Sequence, residues 1–153
     1  MIVRKATASD YDVMVDLVIQ FFKENDLSYL CIDIDIVSAG KLVSYVTDKH
    51  LMLVLTTDDG EIVGGVGGLL TTFLFNNETK LFQQIFFYVS EDYRKHSKFL
   101  LDSLTKTCKS INLDNIIMGY ISDSKLDKLE RFYKIQGFKK FETQFIKRIK
   151  KRN

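Results

Sequence analysis

Apolar side chains recur at helical spacing in several parts of the chain. A first helix is predicted after Ser9 or Asp10, either of which can cap its start. Its apolar positions lie three and four residues apart, as one buried helix face requires: Tyr11, Met14, Val15, Val18, Phe21 and Phe22. Asp35 can cap a second helix that extends through Val46.

Two further helices are predicted in the second half of the chain. The third has a buried face that consists of Leu100, Leu104, Cys108 and Ile111. A Ser124-x-x-Asp127 capping box opens the fourth, which continues to Ile135. Gly137 is placed to end it.

The remaining apolar stretches are typical of strands. Residues 51–57 and 61–71 predict a hairpin around Asp58-Asp59-Gly60. The other predicted strands are residues 1–6, 80–89 (after a turn at Asn76-Asn77-Glu78), 116–121, 138–141 and 144–149. The order β-α-α-β-β-β-α-β-α-β-β predicts an α/β domain with α+β layering, a mixed sheet with helices on both faces.

Composition and length fit one globular domain, residues 1–153. Apolar residues make up 46% and charged residues 27% of the chain, an ordinary globular balance. No apolar run approaches the roughly 18 residues of a membrane span, and residues 1–5 show no signal-peptide pattern. We therefore expect a cytoplasmic protein. Cys31 and Cys108 lie far apart, so the sequence predicts neither a disulfide framework nor a metal site.

The net charge of +2 is too small to indicate nucleic-acid binding. The charge is uneven, because the first fifty residues are acidic on balance and the last fifteen are basic. The basic residues are Lys139, Lys140, Lys147, Arg148, Lys150, Lys151 and Arg152. A solvated chain end explains them better than a polyanion site does.

Three segments in the expected order resemble the GNAT acyltransferase family. Residues 3–11 resemble its opening R-x-A-T-x-x-D, and residues 59–65 resemble its hairpin D-G-x-I-V-G. Residues 132–138, FYKIQGF, are close to its ending L-Y-x-K-x-G-F. The resemblance implies a mixed, mostly antiparallel sheet and an acetyl-CoA-dependent N-acetyltransferase. Residues 86–89 and 142–147 look most like GNAT relatives carried by bacteriophages.

The resemblance also implies a cofactor-binding segment. Phe87, Tyr88 and Val89 would run beside the pantetheine arm and pair with its amides through their main chains, while their side chains form core and cleft wall. After them the family has a glycine-rich loop whose N–H groups surround the pyrophosphate at a helix N-terminus. The residues implied to hold the diphosphate here are Arg94, Lys95, His96, Ser97 and Lys98.

This loop departs from the family pattern at two positions. Ser97 and Phe99 stand where the family has glycines. Serine still offers an N–H and a hydroxyl, whereas the side chain of Phe99 could crowd the phosphates. The alternative is a basic, solvated loop on a fold that has lost CoA.

Tyr133 and Gln84 are the implied catalytic residues. The family's tyrosine protonates the departing CoA thiolate; alternatively, Tyr133 only packs the last helix on the sheet. Gln84 lies near the position where relatives place a glutamate base, and it could hold a water but cannot take a proton. Other candidates for the base are Asp123, Glu24 and Asp26, or solvent itself.

The glycines at 64, 65, 67 and 68 lack a G-K-[ST] ending and lie in a strand pattern, so they indicate bulges or a close approach of chains.

The leading hypothesis is direct attack of an amine on acetyl-CoA, with the thioester oxygen held by a main-chain N–H near Val89. The acceptor stays open between a small amine, an antibiotic-like polyamine and a protein amino group, and a homodimer is possible. The alternative hypotheses are a catalytically silent GNAT-fold module and polyanion binding by residues 147–152.

Overall fold

The strands form one sheet in the order in which they occur along the chain. The structure, a computed structural model, describes residues 1–27, 33–121 and 126–149. Its strands are β1 (Ile2–Lys5), β2 (Leu51–Thr56), β3 (Ile62–Phe73), β4 (Asn76–Val89) and β5 (Asn115–Ile117). Neighbours from β1 to β4 are antiparallel, and β5 lies parallel to β4. The predicted mixed, mostly antiparallel sheet is confirmed.

Four helices cover the two faces of this sheet in the described part of the chain. They are α1 (Tyr11–Glu24), α2 (Ile36–Lys49), α3 (Ser97–Ser110) and α4 (Leu126–Ile135). Short 3-10 segments, Ala8–Asp10 and Glu91–His96, precede α1 and α3. No helix of the described residues has the length and apolar character needed to cross a membrane.

Two apolar cores lie on opposite faces of the sheet. On one face, α1 and α2 pack through Met14, Leu17, Val43 and Val46 onto Met52, Val54, Phe86 and Tyr88. On the other face, α3 and α4 pack through Leu100, Leu101, Leu104, Cys108 and Tyr133 onto side chains of β2, β3 and β4. A strand covered on both faces needs apolar residues at every position, which explains the continuous run LMLVL in β2.

Of the predicted N-caps in the described residues, Asp35 acts as a cap and Asp10 does not. Asp35 accepts hydrogen bonds from the N–H groups of Val37 (3.3 Å) and Ser38 (3.1 Å). Asp10 precedes α1 without capping it. Its buried carboxylate turns back to the N–H of Thr7 (2.7 Å) and the guanidinium of Arg4 (2.8 and 3.0 Å). Asp10 therefore ties β1 to the start of α1.

Two predicted turn and strand boundaries differ from the structure. The chain reverses at Leu74-Phe75, and β4 already begins at Asn76. The turn-like residues Asn76-Asn77-Glu78 mark a bulge instead of a turn. The pairing changes from Thr72–Lys80 to Phe73–Asn76, so residues 77–79 have no partners on β3. The Asn76 side chain bonds the N–H of Glu78 inside this bulge (3.1 Å).

The predicted closing strands, 138–141 and 144–149, are wrong. The described residues after α4 contain no strand. Phe138 instead donates its N–H to the Tyr133 carbonyl (3.0 Å) and packs its ring on Tyr133. A strand needs a partner edge for its backbone groups, and these residues have no ladder partner. Gly137 ends α4 with a positive φ, as predicted. Cys31, Asp123, Ser124 and residues 150–153 lie outside the described residues.

Candidate functional site

β4 and β5 separate after a short stretch of pairing. The parallel ladder joins Leu81, Phe82 and Gln83 to Asn115, Ile116 and Ile117 and goes no further. The predicted strand 116–121 is therefore too long at its end. Beyond the ladder, a side-chain hydrogen bond joins the two segments in place of main-chain bonds: the Oε1 of Gln84 accepts the N–H of Gly119 (2.8 Å). A gap between the two strands opens at this point.

The main chain of β4 offers two residues to this gap. Ser90 donates its N–H to the carbonyl of Val63 (2.9 Å). Opposite residues in an antiparallel pair alternate between exchanging hydrogen bonds and facing away from each other. Tyr88, opposite Gly65, is therefore turned to β3, whereas the N–H and C=O groups of Phe87 and Val89 point towards the side that β5 has left.

A bulge in β4 lies at the start of this free edge. Gly67 pairs with Phe86 and Gly68 with Gln84, so Ile85 has no partner. A Cβ on Gly68 would come within 2.3 Å of the Gln83 carbonyl oxygen. The predicted role of the glycine cluster in bulges and close approach is confirmed here. The sequence did not identify Ile85 as the extra residue, because a bulge depends on the register of both strands.

Tyr133 is buried beside the gap. Its OH donates to the carbonyl of Gly119 across a long 3.4 Å. The ring stacks on Tyr120 with centroids 6.3 Å apart and meets Phe132 and Phe138 edge-on. Burial, and to a lesser extent neighbouring Tyr120, raises the pKa of the Tyr133 phenol well above its ordinary value. The phenol is therefore protonated throughout the physiological range.

The structure brings the two predicted catalytic side chains to one residue, Gly119. Both also line a cleft of about 1070 Å³ between β4, β5, α3, α4 and residues 138–144. Tyr120, which the sequence did not single out, belongs to the same wall and donates its OH to Glu130 (2.8 Å). The predicted cofactor residues 87–89 and 94–98 do not line this cleft.

The predicted cofactor loop is helical in the structure. The 3-10 segment Glu91–His96 runs directly into α3, and the N–H of Ser97 donates to the carbonyl of Arg94. Ser97 therefore has its hydroxyl, but not its N–H, available for a ligand. Phe99 lies at the surface, 43% exposed, and is not packed in the core.

The cations of this segment differ in their partners. Lys98 forms an ion pair with Asp102 one turn along α3 (2.6 Å). Arg94 donates from Nε to the carbonyl of Val89 (3.4 Å) and forms an ion pair with Glu24. Lys95 lies exposed on the 3-10 segment, next to the half-buried His96.

Glu24 holds a position that the sequence did not predict. It ends α1, and its carboxylate accepts the OH of Tyr88 (2.5 Å) on one oxygen and bonds Arg94 with the other. Burial and the bond to Glu24 raise the pKa of Tyr88 to about 12. As a candidate base Glu24 is thus already engaged on both oxygens. Its partners lie more than sixty residues away in sequence, so no local pattern could reveal them.

Solved structures with the same architecture identify the fold. One, described as a probable acetyltransferase, is 12% identical and has a TM-score of 0.75, with 99% of this chain and all of the other covered. The chain has the GNAT fold. A ribosomal-protein-alanine N-acetyltransferase from Brucella melitensis biovar Abortus is 13% identical, with a TM-score of 0.70 over 97% of this chain and 100% of that one.

A third GNAT-fold structure is an aminoglycoside acetyltransferase from an uncultured soil metagenomic sample. It is 16% identical, with a TM-score of 0.71, and the match covers 97% of this chain and 98% of that chain. No protein-family model and no curated protein matches the sequence. The likeness is thus one of fold across nearly the full length of both chains.

Proposed function

We propose that this protein transfers the acetyl group of acetyl-CoA to an amine. The observation that carries the proposal is the gap between β4 and β5, with the main-chain groups of Phe87 and Val89 directed into it. The pantetheine arm of CoA has two amides, each with a donor and an acceptor. An extended strand edge satisfies such groups at every second residue, and Phe87 and Val89 have that spacing.

The diphosphate of CoA fits the start of α3 less completely. Lys95, His96 and Lys98 supply donors at this end of the helix, and Lys95 and Lys98 add positive charge there. The N–H of Ser97 is engaged, so side chains take over part of the role that glycine N–H groups have in the family. Phe99 is 43% exposed and lies outside the core, so a turn of its ring away from the phosphates would leave the core intact.

The chemistry needs a proton donor for the leaving sulfur and an acceptor for the proton of the amine. The amine nitrogen forms a bond to the thioester carbonyl carbon, the C–S bond breaks, and the OH of Tyr133 donates a hydrogen bond to the departing sulfur. The sulfur leaves as a thiolate, which then takes its proton from water. The raised pKa of Tyr133 makes the phenol a weak acid. Tyr133 therefore acts mainly by a hydrogen bond that strengthens as the sulfur gains charge.

The amine proton leaves through water. Gln84, whose Oε1 is bound by Gly119, retains its NH₂ group to hold a water molecule. A main-chain N–H beside the Ile85 bulge stabilises the thioester oxygen, because the groups of Phe87 and Val89 bind the pantetheine amides. The acceptor is a small amine, an antibiotic-like polyamine or a protein amino group. A cytoplasmic location and a phage-carried origin belong to the same proposal and rest on the sequence alone.

Acetylation of representative acceptors tests the proposal. The purified protein is incubated with acetyl-CoA and, separately, a polyamine, an aminoglycoside and peptides with free N-terminal and lysine amines. Free thiol release and product mass are measured. Turnover of any acceptor above the uncatalysed rate, lost on Tyr133→Phe, supports the transferase.

A catalytically silent GNAT-fold module is the second candidate. The engaged Ser97 N–H and the Arg94 side chain on the Val89 carbonyl favour it, because both occupy groups that a CoA ligand would use. Binding of acetyl-CoA without turnover of any acceptor class, or no binding at all, would favour this second function.

A further inference from the structure

Arg94 joins three parts of the site in the described structure. Its Nε lies 3.4 Å from the carbonyl oxygen of Val89, at the end of the free β4 edge. A terminal nitrogen of the same guanidinium pairs with Glu24, at the end of α1. Arg94 thus connects the predicted diphosphate segment to the helix layer on the opposite face of the sheet.

The two contacts of Arg94 differ in strength. The contact to Val89 is at the limit of a hydrogen bond. The contact to Glu24 is charge-assisted and close, and it joins side chains that are 39% and 33% exposed. In the absence of a ligand, Glu24 is therefore the stronger partner of this guanidinium.

Glu24 does not depend on Arg94 alone. The OH of Tyr88 donates to its other oxygen at 2.5 Å. Loss of Arg94 therefore leaves the carboxylate hydrogen-bonded and still partly in contact with water, so the cost of separating the pair is small. An anionic diphosphate at the start of α3 offers the guanidinium a second, bidentate partner.

Resting on the transferase function proposed above, we infer that Arg94 exchanges ion-pair partners when CoA binds. In the free protein Arg94 pairs with Glu24, and in the complex it pairs with the diphosphate of CoA instead. The exchange frees the Val89 carbonyl for the pantetheine amide. The Glu24–Arg94 pair then lowers the affinity of the free protein for CoA. Glu24 is a positioning residue, which acts only through Arg94.

Calorimetric titration of CoA and of pantetheine, which lacks the diphosphate, tests this exchange. Glu24→Gln keeps an acceptor for Tyr88 but removes the competing charge. Because a partly exposed ion pair contributes about 0.2–1 kcal/mol, Glu24→Gln should tighten CoA binding by about 1.5- to 5-fold. Pantetheine affinity should not change, since that ligand offers Arg94 no phosphate.

Asp92→Asn is the matched control. It also replaces a carboxylate by an amide, in the 3-10 segment that contains Arg94, but Arg94 pairs with Glu24 and not with Asp92. At equal ionic strength Asp92→Asn should improve CoA binding less than Glu24→Gln does. An equal gain in both variants would reduce the effect to net charge and overturn the exchange.

Glu24→Asp supplies the second measurement if Glu24→Gln folds poorly, because its shorter side chain draws the carboxylate away from Arg94 and should also tighten CoA binding. Arg94→Gln should weaken CoA binding several-fold, and adding either Glu24 substitution to it should bring no further gain. Unchanged or weaker CoA binding in folded Glu24→Gln overturns the inference and leaves the transferase proposal standing. No CoA binding by wild type or any variant overturns both.

Discussion

Gln84 and Tyr133 meet on the two polar groups of one residue, Gly119. Gln84 accepts its N–H at 2.8 Å, and Tyr133 donates to its carbonyl at 3.4 Å. Gly119 lies two residues after Ile117, where β5 leaves the sheet. The two side chains therefore hold Gly119 in place on the β5 side of the gap, and they also line the gap themselves. Substitutions are needed to separate their structural roles from their chemical roles.

Replacement of Tyr133 by phenylalanine separates packing from proton donation. The hydrogen bond lost is long, so we expect the free energy of unfolding to fall by less than about 1 kcal/mol. Turnover should fall by about 100-fold, with acetyl-CoA affinity within about twofold of wild type. Steady-state kinetics and titration measure the two effects. Tyr120→Phe, in the stacked neighbour, is the control and should retain most turnover; equal turnover in Tyr133→Phe and wild type removes the proton-donor role.

Gln84→Ala should loosen the β5 side of the gap. It leaves the Gly119 N–H without its protein acceptor, at a cost of about 0.5–1.5 kcal/mol in the free energy of unfolding. Gln84→Glu retains an oxygen at the same place and should recover most of that loss. Urea unfolding at neutral pH compares the three proteins. A fully stable Gln84→Ala would show that the 2.8 Å bond contributes nothing to the wall.

The Arg4–Asp10 contact should make folding sensitive to acid. Hydrogen bonding to Arg4 lowers the pKa of the Asp10 carboxyl to about 2, from an ordinary value near 4. Because the folded pKa is the lower one, the stabilisation is present above pH 4 and is lost as the pH falls towards 2.

Asp10→Asn tests that linkage. It should destabilise the protein by about 1–2 kcal/mol at pH 7, discounted for the exposed guanidinium of Arg4. The difference from wild type should shrink between pH 4 and pH 2, as measured by urea unfolding at several pH values. A difference that stays constant over this range would assign the effect to packing instead.

Two glycine-to-alanine substitutions should change stability in opposite directions. At Gly68 the added Cβ would meet the main chain of Gln83 at 2.3 Å. Backbone cannot move aside cheaply, so we expect a loss of about 1–3 kcal/mol or more and weaker acetyl-CoA binding. At Gly40, inside α2, nothing lies within 4 Å of the new Cβ, and alanine should add about 0.5–1 kcal/mol. Thermal unfolding of both variants checks the contrast; similar behaviour would count against the bulge register.

The periodic elements of the fold were predictable because they depend on local pattern. The apolar face of α1, the Asp35 cap and the Gly60 turn follow from spacing and from residue chemistry within a few positions. The prediction of closing strands was wrong because strand formation depends on a non-local partner. Residues 138–149 have a strand-like pattern but no partner edge to bond.

The candidate site was predictable only where the family ending and strand pattern mark it. The sequence singles out Tyr133 and Gln84 as candidates, and the structure brings both to Gly119, a common partner that the sequence did not indicate. The Glu24–Tyr88 and Glu24–Arg94 contacts span 64 and 70 residues in sequence. Such contacts arise when α1 packs across the sheet, and no local motif encodes them. The helical form of residues 91–96 was likewise missed, because the family pattern suggested an open loop.

Isothermal titration of the intact protein with acetyl-CoA measures whether the β4 edge and the start of α3 together accept this ligand. We expect one binding site with a dissociation constant in the micromolar range, about −8 kcal/mol at 1 μM. No binding heat up to about 1 mM ligand, a limit of about −4 kcal/mol, from protein shown to be folded would contradict it.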